Sequence, residues 1–279
     1  MRFAAFTVDV DRDVNQPCAG KACAMSKEGE GQGAPRFTSS AEGLKEIVDV
    51  LNDLDVRATF FFEGRTALEI SKRVDLPSLM RGHEVACHGF DHEDMTGEKT
   101  GVRPKDEDLD DILARSGSTV RELFGIDRPG FRAPYQATDQ RLQDALLAKD
   151  FRYESSMTEP LLDGKVRPFM HSNGLVQVPI ASGTDRKGRK IVAYLWPMHE
   201  GKRVPQDYLD LLSQFEDGLF VMATHTWHMV ENFCEGMMAE EERLRQSDGV
   251  REIIERAMDE GIEFIRIDDY LEEHHGGSC

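Results

Sequence analysis

Two histidines and two aspartates have the types and spacing of metal ligands. His88 and His92 are four positions apart, a spacing that can place both imidazoles on one side of a single helical turn. A catalytic metal usually takes three protein ligands and keeps one position open for water. Asp9 and Asp11 stand two residues apart after an apolar run. These carboxylates are therefore the best candidates for the third ligand.

Strands and helices alternate along the chain and would have to position these residues. Apolar runs bounded by polar residues predict buried strands, and apolar residues at helical spacing predict amphipathic helices. The predicted strands are 2–10, 58–62, the segment ending at His88, 130–135, 151–156, 175–180, 191–195, 219–224 and 264–267. The predicted helices are 41–51, 66–74, 109–124, 139–148, 206–214 and 238–260.

This alternation favours an α/β protein with a single domain, a distorted (β/α) barrel of about seven parallel strands. We assign residues 1–279 to that domain. A polar insert at about 15–35 has no periodicity and is expected to be a flexible flap. A short exposed tail is expected after about residue 271. The candidate chemical residues all follow predicted strands, and (β/α) barrels build their active sites at that edge.

Charge and hydropathy exclude several classes of partner. The formal net charge is −18, from 52 acidic and 34 basic residues, which argues against binding to nucleic acid or to an anionic membrane. No segment approaches the roughly 18 apolar residues that a membrane span requires. The N-terminus lacks the apolar core of a signal peptide, and the scattered cysteines do not form a disulfide framework. We therefore predict a cytoplasmic protein and leave homo-oligomerisation open.

Four ordered segments resemble the motifs of polysaccharide deacetylases, carbohydrate esterase family four. They are Thr7-Val8-Asp9-Val10-Asp11, His88-Gly89-Phe90-Asp91-His92, Phe131-Arg132-Ala133-Pro134-Tyr135, and a late apolar strand ending in His225. The resemblance runs from Met1 to about Tyr270 and implies a distorted (β/α) barrel. The aspartates are separated by one residue, as in the intracellular branch of the family and in some peptidoglycan deacetylases.

The resemblance implies a role for each residue of the first three motifs. Asp11, His88 and His92 would be the metal ligands, and Asp9 would be the general base. The separated aspartates leave this division between Asp9 and Asp11 slightly open. Arg132 would pair with the base and keep it ionised, because an opposite charge nearby favours the carboxylate. A metal held in this way lowers the pKa of bound water and stabilises a developing oxyanion.

The second half of the resemblance concerns the leaving group and the substrate. His225 would protonate the departing amine, and Glu154 stands where the family usually has an aspartate that orients that histidine. His228 competes with His225 for the acid role, because the proline that commonly follows the acid histidine is missing. The backbone N–H near Tyr135 would hold the oxyanion. We also expect substrate contacts from Tyr135, Pro134 and Trp227.

The expected cofactor is one divalent metal. Zinc is the first choice, and cobalt, nickel, iron or manganese are alternatives, because this ligand set accepts them all. The expected reaction is hydrolysis of a carbon–nitrogen amide bond, removing an acetyl group from an N-acetylated sugar or oligosaccharide. One alternative is an allantoinase-like or cyclic-imidase-like hydrolase of small molecules. Another is a non-catalytic, metal-binding relative.

Overall fold

The computed structural model describes residues 1–13, 15–26 and 36–275. In this part of the chain the helices are α1 (Thr38–Asp53), α2 (Gly64–Ser71), α3 (Leu76–Leu79), α4 (Asp106–Phe124), α5 (Gln140–Ala148), α6 (Trp196–His199), α7 (Pro205–Leu212), α8 (Glu240–Asp259) and α9 (Ile267–His275). Short 3-10 turns cover Pro134–Gln136 and Trp227–Met229. Within the described ranges, no helix is long and apolar enough to cross a membrane.

The strands vary widely in length, and the two longest carry Asp9 and His225. They are β1 (Arg2–Val10), β2 (Asn15–Pro17), β3 (Ala24–Ser26), β4 (Thr59–Phe62), β5 (Glu84–Cys87), β6 (Tyr153–Glu154), β7 (Thr158–Pro160), β8 (Lys165–Val166), β9 (Phe169–Met170), β10 (Val176–Gln177), β11 (Ile180–Thr184), β12 (Lys190–Val192), β13 (Asp217–His225), β14 (Glu231–Asn232), β15 (Gly236–Met237) and β16 (Glu263–Phe264).

Parallel pairing organises the central sheet. The named strands follow the order β12-β11-β13-β1-β4-β5. Isolated parallel pairings continue beyond β5, from Cys87 to Phe131 and from Phe131 to Glu154 in β6. β6 also pairs with β10, and β7 pairs with β11, which returns to β13. The predicted α/β fold with mostly parallel strands is therefore confirmed.

The core lies on both sides of β1, which explains why that strand is almost wholly apolar. Eight of its nine residues are buried, as expected for a parallel strand covered on both faces. β13 runs beside it in parallel register, so that Asp9 lies opposite His225. On the outside, α1 buries Leu44, Ile47 and Leu51, which is the predicted amphipathic pattern.

Three sequence-based expectations need correction. His88 and His92 do not lie on a helical turn, because the segment after β5 is irregular and both Gly89 and His92 have positive φ. The predicted strand 264–267 is shorter, since β16 ends at Phe264 and α9 begins at Ile267. The tail expected after residue 271 continues as helix α9 through His275.

Residues 15–26 of the predicted flexible insert contain secondary structure. β2 and β3 form an antiparallel hairpin in which Asn15 pairs with Ser26. The hairpin is anchored at Asp13, whose buried carboxylate accepts a 2.7 Å hydrogen bond from the Ser26 hydroxyl and pairs with Arg36. These contacts give Asp13 a structural role in holding the hairpin. Residues 27–35 of the predicted insert lie outside the described residues.

Candidate active site

The carboxyl end of β1 delivers two buried aspartates. Asp9 is the last but one residue of the strand and Asp11 follows it, so that the two-residue period of a strand directs both side chains to the same face. Asp9 is 2% exposed and Asp11 is fully buried. A buried carboxylate needs a positive partner or several hydrogen-bond donors. The two aspartates have different partners: Asp9 pairs with Arg132, and Asp11 accepts a hydrogen bond from Asn15.

Asp9 is paired with a buried arginine. The Arg132 Nη1 donates to Asp9 Oδ1 at 2.8 Å and to the Thr7 hydroxyl at 2.9 Å. Its Nε donates to the Ser155 carbonyl at 3.0 Å, and its guanidinium lies 4.1 Å from the centre of the Phe61 ring. Burial is the largest influence on Asp9 and opposes its ionisation, but Arg132 together with the neighbouring histidines outweighs burial, so that the pKa of this carboxyl is lowered. The lowered pKa keeps Asp9 ionised at neutral pH, which is the form that the predicted role of general base requires.

His88 is fixed by the same arginine through its backbone. The His88 Nδ1–H donates to the Arg132 carbonyl at 2.8 Å, which leaves Nε2 with its lone pair. The His92 imidazole lies beside that of His88. Its backbone is left-handed, with φ of 52°, and its ring makes an edge contact with the Tyr135 ring. Gly89, with φ of 73°, provides the turn between them. A short loop thus replaces the predicted helical turn and still brings the imidazoles together.

Asp11, His88 and His92 form a set that fits a divalent cation. Their ligand atoms lie within 4.8 Å of one another and all three side chains are buried. Asp11 Oδ1 and His92 Nδ1 have no hydrogen-bond partner among the described residues. The remaining Asp11 oxygen, Oδ2, accepts a 2.8 Å hydrogen bond from the Asn15 side chain. One carboxylate and two imidazoles with unused lone pairs are the ligand set of a catalytic zinc site.

The pKa shifts at these three residues favour the binding of a cation. Burial lowers the pKa of His88, and it lowers the pKa of His92 to about 4, so that both imidazoles are neutral. Burial raises the pKa of the Asp11 carboxyl well above its ordinary value. A neutral imidazole is the form that binds metal, and a cation would stabilise the Asp11 carboxylate where burial alone does not.

His225 faces this set from the end of β13. Its Nε2 lies 3.8 Å from Asp11 Oδ2 and 2.5 Å from the Tyr194 hydroxyl. Gly43 allows α1 to approach the residue that follows His225, because a Cβ at position 43 would lie 1.9 Å from the Thr226 carbonyl oxygen. Burial lowers the pKa of His225 well below its ordinary value, and neighbouring His228 lowers it further. The imidazole is therefore neutral at rest.

Three of the expected residues lie elsewhere than the sequence suggested. The Glu154 carboxylate accepts a 3.0 Å hydrogen bond from the Ser156 N–H, and within the described residues no hydrogen bond joins it to His225. Trp227 is fully buried and stacks on His225 at 22°. Pro134 is buried in its 3-10 turn. Neither Trp227 nor Pro134 lines the cavity above the site.

The cavity above the aspartates and histidines has a volume of about 220 Å³. It contains the predicted Tyr135, whose backbone has φ of 59°, a conformation often kept at functional sites. Sequence reasoning missed Asn15 and Tyr194 as site residues. Tyr194 lies within the segment 191–195 that the sequence predicts to be extended, and this was the signal available. The cavity is lined by Asp9, Asn15, His88, His92, Ala133, Tyr135, Gln136, Tyr194, Trp196 and His225.

Known proteins share both sequence and fold with this chain. The family description "Polysaccharide deacetylase" matches residues 35–154. A bifunctional xylanase/deacetylase of Pseudobutyrivibrio xylanivorans is 28% identical over 90 residues, which are 32% of this chain and 14% of that protein. A peptidoglycan deacetylase of Helicobacter pylori is 25% identical over 115 residues, which are 41% of this chain and 37% of that protein. The matches thus span less than half of each curated relative.

A solved structure extends the likeness to nearly the whole chain. A Mycobacterium smegmatis protein described as a polysaccharide deacetylase superposes with a TM-score of 0.65 at 19% identity, covering 98% of this chain and 90% of the other. At this identity the superposition shows a common fold. The family match carries both histidines and Arg132, and the common fold places β1 and β13 beside them. The chain therefore resembles the polysaccharide deacetylase family over residues 35–154, and it shares the fold of a solved structure over nearly its whole length.

Proposed function

We propose that this protein is a metal-dependent hydrolase of carbon–nitrogen amide bonds, and that it removes an acetyl group from an N-acetylated sugar or oligosaccharide. The observation that carries the proposal is the grouping of three kinds of side chain around one cavity. Asp9 is a carboxylate paired with Arg132, Asp11 with His88 and His92 could hold a cation, and His225 is an imidazole that lines the same cavity as Asp9. Amide hydrolysis by an activated water needs these three components.

Asp11, His88 and His92 would hold the cation. When bound, a divalent ion would lower the pKa of a water molecule and stabilise negative charge on the substrate carbonyl oxygen. We propose zinc, with cobalt, nickel, iron and manganese as the other metals to test. Asn15 would keep the Asp11 carboxylate in place by its hydrogen bond to Oδ2.

The chain's own side chains would handle the two proton transfers. The Asp9 carboxylate would take a proton from the attacking water, while Arg132 keeps that carboxylate oriented through Oδ1. The leaving nitrogen needs a proton as the C–N bond breaks, and His225 Nε2 faces the cavity from the opposite side. Because His225 is neutral at rest, it would first take up a proton from solvent and then deliver that proton to the leaving nitrogen. The backbone N–H at Tyr135 would donate to the developing oxyanion.

A hydrolase of small cyclic amides or imides is the second candidate. The observation in its favour is the cavity volume of about 220 Å³ with aromatic side chains of Tyr135, Tyr194 and Trp196 in its wall. Such a cavity suits a compound of about one ring, whether a single sugar unit or a cyclic amide. The two candidates share the same base, cation site and acid, so that they differ only in the substrate.

A substrate panel separates the candidates. Acetylated chitooligosaccharides, p-nitrophenyl acetate, allantoin and simple imides would each be incubated with the protein and added zinc, cobalt or manganese. We expect acetate release from the acetylated sugars, and an Asp9→Asn variant should lose it. Turnover of ring amides alone would reject the sugar substrate but keep the hydrolase. A protein that binds metal and hydrolyses none of these compounds would support the non-catalytic alternative.

A cytoplasmic location stays a prediction. Its support is that Cys18, Cys23, Cys87 and Cys234 are all free thiols, and free thiols are typical of a reducing compartment. Cysteine trapping in intact cells, with and without an oxidant, would test it.

A further inference from the structure

His225 lacks the carboxylate partner that the sequence led us to expect. Its two ring nitrogens contact only Tyr194 and His228 by hydrogen bonds among the described residues, and Glu154 is held by Ser156 instead. An acid histidine whose ring is not oriented would deliver its proton poorly, because the ring can flip or change tautomer. The structure places a different buried row of side chains behind His225.

The first member of this row is His228. The His225 Nδ1 and the His228 Nδ1 are 3.2 Å apart, and His228 is fully buried. Two ring nitrogens at this distance form a hydrogen bond only if one carries a proton and the other a lone pair. Tyr194 contacts both nitrogens of His225, but its 2.5 Å contact with Nε2 is shorter than its 3.2 Å contact with Nδ1. Nδ1 is therefore left to His228.

Glu200 sets the direction of that hydrogen bond. Its Oε1 lies 3.6 Å from His228 Nε2, and its side chain is only 1% exposed. The same oxygen accepts a 2.6 Å hydrogen bond from the Phe233 N–H, which fixes the carboxylate. A buried negative charge favours a proton on the nearer nitrogen, so that His228 carries its proton on Nε2 and offers a lone pair on Nδ1.

The ring packed against His228 does not compete for this contact. His199 stacks on His228 at 13° with ring centres 5.1 Å apart. Its Nδ1 binds Gln246 at 2.7 Å and its Nε2 binds the Thr224 hydroxyl at 2.9 Å. Trp196 contacts the His228 ring by its edge. His228 is thus enclosed by rings. Among the described residues its Nδ1 contacts His225, and its Nε2, which makes no hydrogen bond there, lies 3.6 Å from Glu200 Oε1.

We propose that His228, backed by Glu200, is the positioning residue that fixes the ring orientation and the tautomer of His225. His225 then carries its proton on Nδ1 and presents the Nε2 lone pair to the cavity, where Tyr194 donates to it. His228 and Glu200 take the place that the family resemblance gives to Glu154. The catalytic meaning of this arrangement rests on the proposed function, but the tautomer of His225 does not.

Nitrogen NMR tests the tautomer without any assay of activity. The full chain, labelled with ¹⁵N-histidine and kept free of paramagnetic metals, would be examined by long-range ¹H–¹⁵N correlation, with His225→Gln used for assignment. We expect the proton of His225 on Nδ1 in the wild type and a shift toward Nε2 in His228→Leu. His228→Asn should restore the wild-type pattern, because its side-chain oxygen stands where Nδ1 stood.

Two results would overturn the proposal: a proton on His225 Nε2 in the wild type, or an unchanged pattern in His228→Leu. His171→Ala is the matched control, because this half-buried histidine binds Gln177 and lies outside the cavity. If His228→Leu does not fold by circular dichroism, the wild-type spectrum and Glu200→Gln decide, since loss of the charge should also raise the Nε2-protonated fraction of His225. A Glu200→Gln spectrum identical to that of the wild type would then reject the role of Glu200.

Kinetics on the best substrate of the panel gives the second readout. We expect His228→Leu to lower kcat by about 10–100-fold with KM changed by less than about threefold, which is typical of losing an outer-shell partner. His228→Asn should recover most of kcat. A loss in Glu154→Gln as large as that in His228→Leu would contradict the proposal. If no substrate is turned over, the proposed function fails while the NMR result still stands for the positioning role.

Discussion

The side of the cavity that carries Asp9 is held by charge and backbone hydrogen bonds, whereas the side that carries His225 is held by packed rings. Arg132 spans the first side, since its guanidinium binds Asp9 and its carbonyl binds His88. On the second side, His225 stacks on Trp227 and meets the edge of Trp196. The first side fixes charge, and the second fixes the orientation of a neutral ring.

This difference follows from what each side must do. A base and a cation site need ionised groups, and ionised groups can be buried only with partners of opposite charge. A proton donor must exchange between two forms, and a fixed charge in direct contact would hold it in one of them. On the side of His225 that faces His228, the carboxylate of Glu200 accordingly lies next to His228 and does not contact His225 directly. Substitutions on the two sides should therefore have different effects on metal binding, stability and kcat.

The largest effect should come from removing a ligand. His88→Ala is expected to abolish stoichiometric metal binding and to lower kcat/KM by about 10⁴-fold, because a bound cation contributes several kcal/mol to the barrier. Metal content by mass spectrometry and acetate release would be measured together. His171→Ala, which removes a histidine outside the cavity, is the control. Full metal content in His88→Ala would contradict the ligand set.

Asp9→Asn should separate the base from the ligands. We expect kcat to fall by about 10³-fold while metal content stays at one ion per chain, because a general base typically contributes 10²–10⁴-fold. Asp11→Asn should instead lose the metal. If the two variants behaved in the opposite way, the roles of the two aspartates would have to be exchanged.

Arg132→Met should show that the first side depends on charge. Arg132 is fully buried and Asp9 is 2% exposed, so removing the guanidinium leaves an unpaired buried carboxylate at a cost of about 3–5 kcal/mol in unfolding free energy. The lowered pKa of Asp9 stabilises the fold above its unfolded value near 3.9, and this contribution is lost as the pH falls through the lower folded value. In Arg132→Met that contribution should be absent at neutral pH.

Denaturant unfolding at pH 7 measures the effect of Arg132→Met. The matched control is Arg128→Met, whose ion pair with Asp150 is exposed and should cost less than about 1 kcal/mol. The double variant Arg132→Met with Asp9→Asn should recover part of the stability, since the unpaired charge is then removed. Equal losses of unfolding free energy in Arg132→Met and Arg128→Met would show that the buried ion pair stabilises the fold no more than the exposed one.

The smallest effect is expected for Tyr194→Phe. Its hydroxyl makes a single hydrogen bond to the cavity-facing nitrogen of His225, and such a bond is worth about 0.5–1.5 kcal/mol, or roughly 2–10-fold in kcat. Tyr208→Phe is the control, because it loses a hydroxyl that binds the Tyr194 carbonyl and does not line the cavity. A loss above about 100-fold in Tyr194→Phe would make the tyrosine a catalytic group rather than a partner of His225.

The charged side of the site could be predicted from the sequence because strand ends carry it. Asp9 lies near the end of β1 and Asp11 follows it, His88 follows β5, and the carboxyl ends of parallel strands meet at one edge of the sheet. The conformation between His88 and His92 could not be predicted from the sequence, since the four-residue spacing fits a helical turn as well as a loop. The positive φ of Gly89 and His92 decides between them.

The ring side was largely hidden from sequence reasoning. Tyr194 and Glu200 belong to no motif, and they reach His225 and His228 because the chain at Tyr194 pairs with Ala223 in β13. That pairing joins segments about thirty residues apart and has no local signal. Glu154 occupies the position that the motif order gave it, but the Ser156 N–H binds its carboxylate. A local hydrogen bond thus overrides the expected contact with His225.

An anomalous difference map at the zinc absorption edge, from crystals soaked in zinc, tests the central assignment most directly. We expect one strong peak at about 2.0–2.2 Å from one atom each of Asp11, His88 and His92, with Asp9 and His225 outside the coordination shell. Absence of a peak at these residues under saturating zinc, or a peak bound by Asp9 and His225 instead, would contradict the account.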